Sequence, residues 1–442
     1  MKRRGYQKLM ERKKRMAGKK VVGVDPAGQK HQVAVVDEQG VQMGKSFSFP
    51  VSYEGYEVKL WKSLSKILGT YDREDLVFAV EASCALWKGI CDYLTDKGYR
   101  VVMVSPLTTH HSRPLMNQDY SKTDPKDALL IACNARNGSY TDYRRYAAGI
   151  SSLHRLSIAY EKVTKDRQRA VGRLRALMEE VFPEYLSCIG LEGKGSLALL
   201  DRCCLPCHFR TMGIHDEEAI LWRVSHGGHG ANTLMKLQSL ANTSIGSHTE
   251  GEEDAIRAIL DIWIAQVRQI DMSLATLGTA MIEQARKTEY FEQITSLKGI
   301  APLTAARFIA EVRDLHDVTH YKQIEKYAGA NVRLMDSGKY AGARKISKIG
   351  NKRLLRLIYL MTTQTVKFIP ELRIKFITRQ LKSNCFQKNI IAVSPWLLKL
   401  IMALIREKRS YAFREEAVQE MRRLEAKYTD MKSREKKMKQ AA

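Results

Sequence analysis

Two short apolar runs in the first hundred residues each end in a carboxylate: "VVGVD", closing on Asp25, and "LVFAVE", closing on Glu81. Runs of this length and composition, bounded by turn residues, read as strands buried in a sheet. Acids are depleted in strands, and an unpaired buried carboxylate costs several kcal/mol. One such case is a strand-end accident; two on strands expected to be neighbours suggest a shared polar site. The surrounding pattern alternates strand and helix. "KKVVGVDPAG", "KHQVAVVDEQG" and "VQMGKSFSFP" form an antiparallel meander, and residues 53–68 an amphipathic helix. "CALWKGICDYLTDKG" is a helix with a Gly stop, and "YRVVMVSP" a further core strand.

A three-stranded meander followed by helix–strand units is the order of an α/β ribonuclease H-like domain. Two more acids follow in "SKTDPKDALL", residues 121–130. Alone, this stretch reads as a helix start, with Asp124 as N-cap, Pro125 at the first helical position and Asp127 near the positive end of the dipole. Beside Asp25 and Glu81 it reads differently, because Asp124 and Asp127 share one helix face. Four carboxylates brought together repel one another unless cations sit between them, and hard oxygen donors select Mg2+ or Mn2+. Two such ions can stabilise the attacking and leaving oxygens of a phosphodiester exchange. Actin-like sugar kinases and ATPases share the strand-end aspartate, but "DPAGQKHQ" lacks their hydroxyl residue, and no second phosphate loop follows.

The formal net charge of +25 points to a polyanionic partner, nucleic acid or an acidic membrane surface. The most apolar stretch, "AVSPWLLKLIMALI", carries Pro and Lys and reads as a buried helix, and the basic N-terminus lacks a secretory apolar core. Nucleic acid in the cytosol is the favoured reading, with no membrane partner. The eight cysteines are scattered through core-like helices rather than arranged as a disulfide framework. "CCLPCH", Cys203 to His208, contains the spacing of c-type haem attachment, but the motif is short and no second ligand pair is near in the sequence, so neither haem nor zinc is expected there. "SHGGHG", with His226 and His229, reads as a Gly-rich loop.

Beyond residue 148 the pattern is helical. Apolar residues recur at Leu153, Leu156, Tyr160, Val163, Val171, Leu174 and Leu177, and again at Ile256, Ile259, Trp263, Val267, Ile270, Leu274 and Leu277. These predict two long helices forming a hairpin or coiled-coil arm over 149–288, separated by an irregular insert of about 183–250. A mainly α region over 289–408 opens with "ITSLKGIAPLTAARFIAEV", helix, Gly turn and helix, in the manner of a helix-hairpin-helix whose backbone N–H groups can hold a phosphate. Residues 1–19 form a basic tail that binds nucleic acid nonspecifically or is disordered, and 409–442 a charged, solvated helix.

In their order, Asp25 in "GVDPAGQKHQVAVVD", Glu81 in "AVEAS", and Asp124 and Asp127 in "SKTDPKDALLIA" resemble the DEDD transposases of the insertion-sequence one-ten family. The resemblance continues in "LKGIAPLTAARFIAEV", "YAGANVRLMDSGKYAGARKISKIGNKRLLRLIYL" and "NIIAVSPWLLKLIMALI", and covers most of residues 20–408. It implies a RuvC-like metal domain over 20–148 and a C-terminal transposase domain. It also implies RNA-guided cleavage and exchange of donor and target DNA, with a structured bridge RNA supplying sequence choice. The family's serine nucleophile, which holds DNA as a covalent phosphoserine, matches Ser337 in "MDSGKY". From the residues alone Ser-Gly is a turn signal, and Ser347 in "KISKIGN" is the rival. The family joins metal site and serine across subunits, implying a homodimer that assembles to a homotetramer, in the bacterial cytoplasm and on the nucleoid when active. Arg333, Lys339, Arg344, Lys345, Lys348, Lys352 and Arg353 surround Ser337 and are expected to contact phosphates. A RuvC-like junction endonuclease using activated water is the alternative. The chain departs from the family in Pro26 after the first strand, in the larger insert and in the basic tail.

Overall fold

Strands β1 (Lys20–Asp25), β2 (Lys30–Val36) and β3 (Gln42–Pro50) form the expected antiparallel meander. Strand β4 (Leu76–Glu81) pairs parallel to β1 on its other side, β5 (Arg100–Val104) parallel to β4, and the short β6 (Thr141–Asp142) antiparallel to β5. The sheet order is therefore β3-β2-β1-β4-β5-β6. The structure, a computed structural model, describes all residues except 1–2, 84–85, 118–120, 248–250, 334–335, 338–339, 343–344 and 442. It divides into two compact units, Met1–Arg145 and Tyr146–Ala442. The first is mixed α/β around this sheet and the second mainly helical.

Side chains alternate faces along a strand. Val22, Val24, Phe78 and Val80 enter one buried cluster with Leu60, Leu64, Ile90 and Leu94. Those four come from helices α2 (Leu60–Leu68) and α3 (Trp87–Asp96), numbered after α1 (Arg3–Lys14). Val21, Val77 and Ala79 enter the cluster on the opposite face with Ile131, Ala132 and Ala135. Helix α4 (Pro106–Asn117) precedes α5 (Asp124–Arg136), which supplies that opposite face. Gly23, in the middle of β1, lets α5 come unusually near: a Cβ there would lie 2.1 Å from the Ala128 carbonyl oxygen and 2.7 Å from the Ala132 nitrogen. The basic N-terminus is not merely a tail. It forms α1, Met16 just beyond is 1% exposed within the α5-side cluster, and Tyr140 and Arg100 donate to the Arg12 and Arg15 carbonyls.

In the second unit, α6 (Ala148–Val181) is followed by α7 (Lys194–Leu200), α8 (Pro206–Thr211), α9 (Ile214–Val224), α10 (Ala231–Asn242) and α11 (Glu253–Arg286). The long α6 and α11 pack along each other. The insert between them is helical rather than irregular, and has its own core, with Phe182, Tyr185, Phe209, Leu234 and Leu237 buried among residues of both long helices. Its helices are one to three turns long and separated by Gly and Pro, too short for a period to emerge.

Helices α12 (Phe291–Thr295) and α13 (Pro302–Val312) flank Gly299, whose φ of +102° is a glycine conformation. Then come α14 (Tyr321–Ala328) and four two-residue strands, β7 (Val332–Arg333), β8 (Asp336–Ser337), β9 (Tyr340–Ala341) and β10 (Lys345–Ile346). Strand β7 pairs with β10, and β8 with β9. Helices α15 (Lys352–Thr365), α16 (Pro370–Gln380), α17 (Phe386–Arg406) and α18 (Glu415–Ala441) complete the chain. By length and composition α17 could cross a membrane, yet its Ile390, Val393, Leu397 and Ile401 are fully buried in the unit's core. The last helix is not wholly solvated: Tyr428 is buried, and Glu425 accepts from Arg373 of α16.

A buried polar network fixes the segment around β10. Glu311 of α13 is completely buried, and its carboxylate accepts hydrogen bonds from Arg353 Nε (2.9 Å), Ser157 Oγ (2.9 Å) and Asn351 Nδ2 (2.7 Å). Asn351 also caps α15, accepting from the Arg353 and Leu354 N–H groups. Burial pushes the Glu311 carboxyl up, but its hydrogen bonds from Arg353 and Asn351 win and hold it below the ordinary 4.5.

Two outcomes follow from this packing. Gly23→Ala forces α5 away from β1 and is expected to cost about 3 kcal/mol, read as a lower urea midpoint; a wild-type midpoint would refute the close approach. Glu311→Ala strands Arg353, and since that side chain is 35% exposed the expected loss is about 3 kcal/mol, the low end for a broken buried pair. The Glu311 contribution is present above the ordinary carboxyl range and lost as pH falls through it, because the unfolded chain binds the proton more tightly. The gap between wild type and variant must therefore narrow in acid.

Candidate active site

Asp25 and Glu81 are the last residues of adjacent parallel strands, one step beyond the Val24–Val80 pairing. By the alternation of the strands both belong to the face covered by α5. The same helix brings Asp124 and Asp127 there, because Gly23 seats Ala128 directly against β1. Asp124 is not the N-cap. The Asp127 N–H bonds to the Thr123 carbonyl at 3.0 Å, so Thr123 is the cap residue, in extended backbone (φ −138°, ψ 146°). The helix thus starts one residue earlier than the sequence suggests, and no side chain makes a cap hydrogen bond. This removes the structural explanation for Asp124, which is exposed, while Asp127 is buried at 4% exposure.

The four acids share one electrostatic field. Asp25 is pushed up from 3.8 to about 6, first by burial and then by the charges of Glu81, Asp127 and Asp124, with Lys122 opposing. The cluster is open in this arrangement: among the described residues no three of the four carboxylates bring oxygens within 4.8 Å of one another. Arg113 of α4 occupies one member, its Nε and Nη2 donating to Asp127 Oδ1 at 3.1 and 2.8 Å in a largely buried ion pair. Ser112, beside it, donates to Asn134 of α5 at 2.8 Å and ties α4 to the helix that carries the acids. Neither Arg113 nor Lys122 is singled out by sequence pattern. Both lie in the polar stretch before "TDPKD", where their nearness to the site depends on the fold of α4 and α5.

In the second unit Ser337 lies in β8, with its backbone opposite Tyr340. Lys339 and Arg344 lie outside the described residues. Arg333 and Lys345 face each other across β7 and β10 and are exposed, as are Lys348 and Lys352. Lys348 adopts φ +55°, a turn conformation. Arg353 instead serves the fold through Glu311. The rival Ser347 uses its hydroxyl structurally, donating to Asn331 Oδ1 at 2.9 Å and to the Gly329 carbonyl at 3.2 Å.

The raised Asp25 has a consequence for stability. A carboxyl that binds its proton more tightly when folded loses stability as pH rises from about 4 through about 6, and the loss persists above. Asp25→Asn is therefore expected to stabilise the protein in chelator at pH 8 by about 1–2 kcal/mol, discounted for partial exposure, and to match wild type near pH 4. Thermal melts at the two pH values check this; a destabilised variant at pH 8 would show that the acids are not in mutual repulsion.

Comparison with known proteins matches both units. The transposase family DEDD_Tnp_IS110 matches residues 22–183, and a second model, described as transposase IS116/IS110/IS902 family, matches residues 291–376. The 44.8 kDa protein of insertion element IS116 from Streptomyces clavuligerus is 24% identical over 393 residues, covering 88% of this chain and 95% of the relative. The mini-circle putative transposase for IS117 of Streptomyces coelicolor is 24% identical over 362 residues, 79% of this chain and 84% of the relative. The 42 kDa protein of insertion element IS900 from Mycobacterium paratuberculosis is 22% identical over 399 residues, 88% and 96% respectively. The two family matches cover all four strand-end and helix-start acids and the "DSG" segment, in the order in which they occur here, and the chain accordingly belongs to the IS110 family of insertion-sequence transposases, enzymes that cleave and recombine DNA.

Proposed function

We propose that this transposase exchanges DNA strands through a serine–DNA intermediate, with Asp25, Glu81, Asp124 and Asp127 as its metal-binding acids and Ser337 as its nucleophile. The observation that carries the acidic half is the raised Asp25, pushed to about 6 by burial first and then by the other three acids, with Lys122 offsetting only part of it. A DEDD-type transposase domain depends on a divalent metal, and the donor set fits one: hard oxygens, converging on one sheet face, short of positive charge. Mg2+ or Mn2+ held there would supply charge stabilisation to a phosphate undergoing substitution. The strand order, with an antiparallel meander continued by parallel strands, supports a ribonuclease H-like, RuvC-like reading of this unit.

The remaining roles belong to the chain itself. Lys122 offsets part of the negative field, and Arg113 holds one oxygen of Asp127. The Ser337 hydroxyl oxygen would form a new bond to phosphorus as the bond between phosphorus and one bridging sugar oxygen breaks. The serine proton leaves to a base, and the departing sugar oxygen is released as a hydroxyl end. One phosphoester replaces another, so the bond energy is retained for rejoining. Ser347 is the weaker candidate because its hydroxyl is already engaged by Asn331 and Gly329. Exposed Arg333, Lys345, Lys348 and Lys352 suit phosphate contacts that position DNA without reading its sequence. Such contacts also suit the backbone of the bridge RNA that the sequence resemblance implies, as does an assembly in which different subunits contribute acid cluster and serine. The helix–Gly299–helix turn suits a further phosphate contact in the manner of a helix-hairpin-helix.

The deciding experiment incubates purified protein with end-labelled donor and target DNA, the element's own end-encoded RNA and Mg2+, then denatures the mixture. Labelled DNA is expected to stay on wild-type protein, to be absent with Ser337→Ala and to persist with Ser347→Ala. Chelation or Asp25→Ala should abolish it. Cut DNA with no adduct would overturn the serine mechanism in favour of hydrolysis by activated water.

A further inference from the structure

The insert that joins the two long helices contains a group of side chains that the transposase reading does not use. Sγ of Cys207, an imidazole nitrogen of His208 and a carboxylate oxygen of Glu253 lie within 4.8 Å of one another. Cys207 Sγ is 3.7 Å from Glu253 Oε1, and Cys204 Sγ is 3.4 Å from His208 Nδ1. We infer that Cys204, Cys207, His208 and Glu253 form a structural site for a thiophilic divalent cation, zinc foremost.

Zinc takes four N, S and O donors in a tetrahedron, with thiolate bonds near 2.3 Å and imidazole or carboxylate bonds near 2.0 Å; the donors then stand roughly 3.3–3.8 Å apart. Both measured separations fall at that spacing. Cys204-Leu205-Pro206-Cys207 is the C-x-x-C step of zinc-binding turns, and Glu253, at the start of α11, arrives from a distant part of the chain. Packing explains the buried Cys203 and Cys204 as small apolar residues. It does not explain a half-buried thiol, an imidazole and a carboxylate meeting at one point on the rim of that core. Haem, the other reading of this spacing, is excluded because Cys204 is fully buried and offers no sulfur to an outside ring.

Charge also balances. Two thiolates and a carboxylate around a dication leave one negative charge, and the positive charge of Arg257 of α11 acts on Cys204. Arg257 also donates to the Asp201 carbonyl and pairs with Asp261 at 3.1 Å, so the guanidinium is held in place. Closing the tetrahedron requires the Cys204 side chain to turn toward Cys207. The ion would then clip α8 to the N-terminus of α11, across the insert.

The test uses full-length protein without a polyhistidine tag, grown with added zinc and dialysed against a weak chelator. About one zinc per chain is expected by elemental analysis. Cobalt exchanged into the same preparation should give the sulfur-to-metal charge-transfer absorption of thiolate ligation, which an all-oxygen site such as the acid cluster cannot produce. Cys207→Ser is expected to lose the band and at least tenfold in zinc content, and Glu253→Gln to retain the band with weakened affinity. Asp25→Asn should leave both unchanged. Wild-type protein without retained zinc, or without the cobalt–thiolate band, would overturn the proposal, as would Cys207→Ser protein that holds zinc like wild type.

Discussion

Like charges at the end of a partly buried sheet raise the free energy of the folded chain, and the N-terminal unit is organised around holding them there. Asp25 lies at the half-buried end of a strand whose middle four residues are buried, so its carboxylate is partly withdrawn from water. Glu81 ends the neighbouring strand one step beyond the last shared register. Neither can move away without moving the sheet. Helix α5 brings two more acids to the same face, held by contact of its backbone with Gly23. In such a place the rigid core sets the repulsion, and a cation relieves it. Arg113 is the one protein cation bonded to a member of the set, which leaves the remaining negative charge uncompensated by direct pairing among the described residues.

The second unit treats a buried charge in the opposite way. Glu311 has three donors on its two oxygens, one of them the Arg353 guanidinium, and the environment favours its charged form. A satisfied buried carboxylate of this kind fixes geometry instead of awaiting a ligand. It anchors Asn351 and Arg353, and with them the start of α15 just after the basic segment that carries Lys345 and Lys348. The two carboxylates differ in environment: Glu311, with its partners, supports the fold, and Asp25 is crowded by other acids.

Much of this was legible in the residues because the relevant physics is local. An acid ending a run of valines is conspicuous at Asp25 and Glu81, and the strand period alone predicts that both share a face. The long amphipathic helices α6 and α11 repeat often enough to be read. The start of α5 was misread by one residue, since Thr123 and Asp124 are both competent caps and only the Asp127–Thr123 hydrogen bond distinguishes them. The insert was illegible because helices of six to twelve residues carry too few turns to show a period, and its core depends on residues more than fifty positions apart. Arg113 and Met16 belong to the same class: their roles follow from tertiary approach, which no local pattern encodes. Ser337 stood out only by family likeness, as a Ser-Gly pair has an ordinary use in turns.

The six-stranded sheet has two unlike margins. On one side β6 is two residues long, with Asp142 held by Arg100, so it offers almost no unpaired backbone. On the other, β3 runs for nine residues, mostly part-exposed, and its pairing with β2 shifts register between Val33 and Val35. Gly44 at φ +61° and the lysine beside it, Lys45, lie in the same stretch. Irregular twist and a charge on a long edge hinder a second chain from adding as a further strand. The net charge of +25 adds mutual repulsion between copies, so edge-to-edge pairing of two such sheets is opposed by long-range charge as well as by local backbone irregularity.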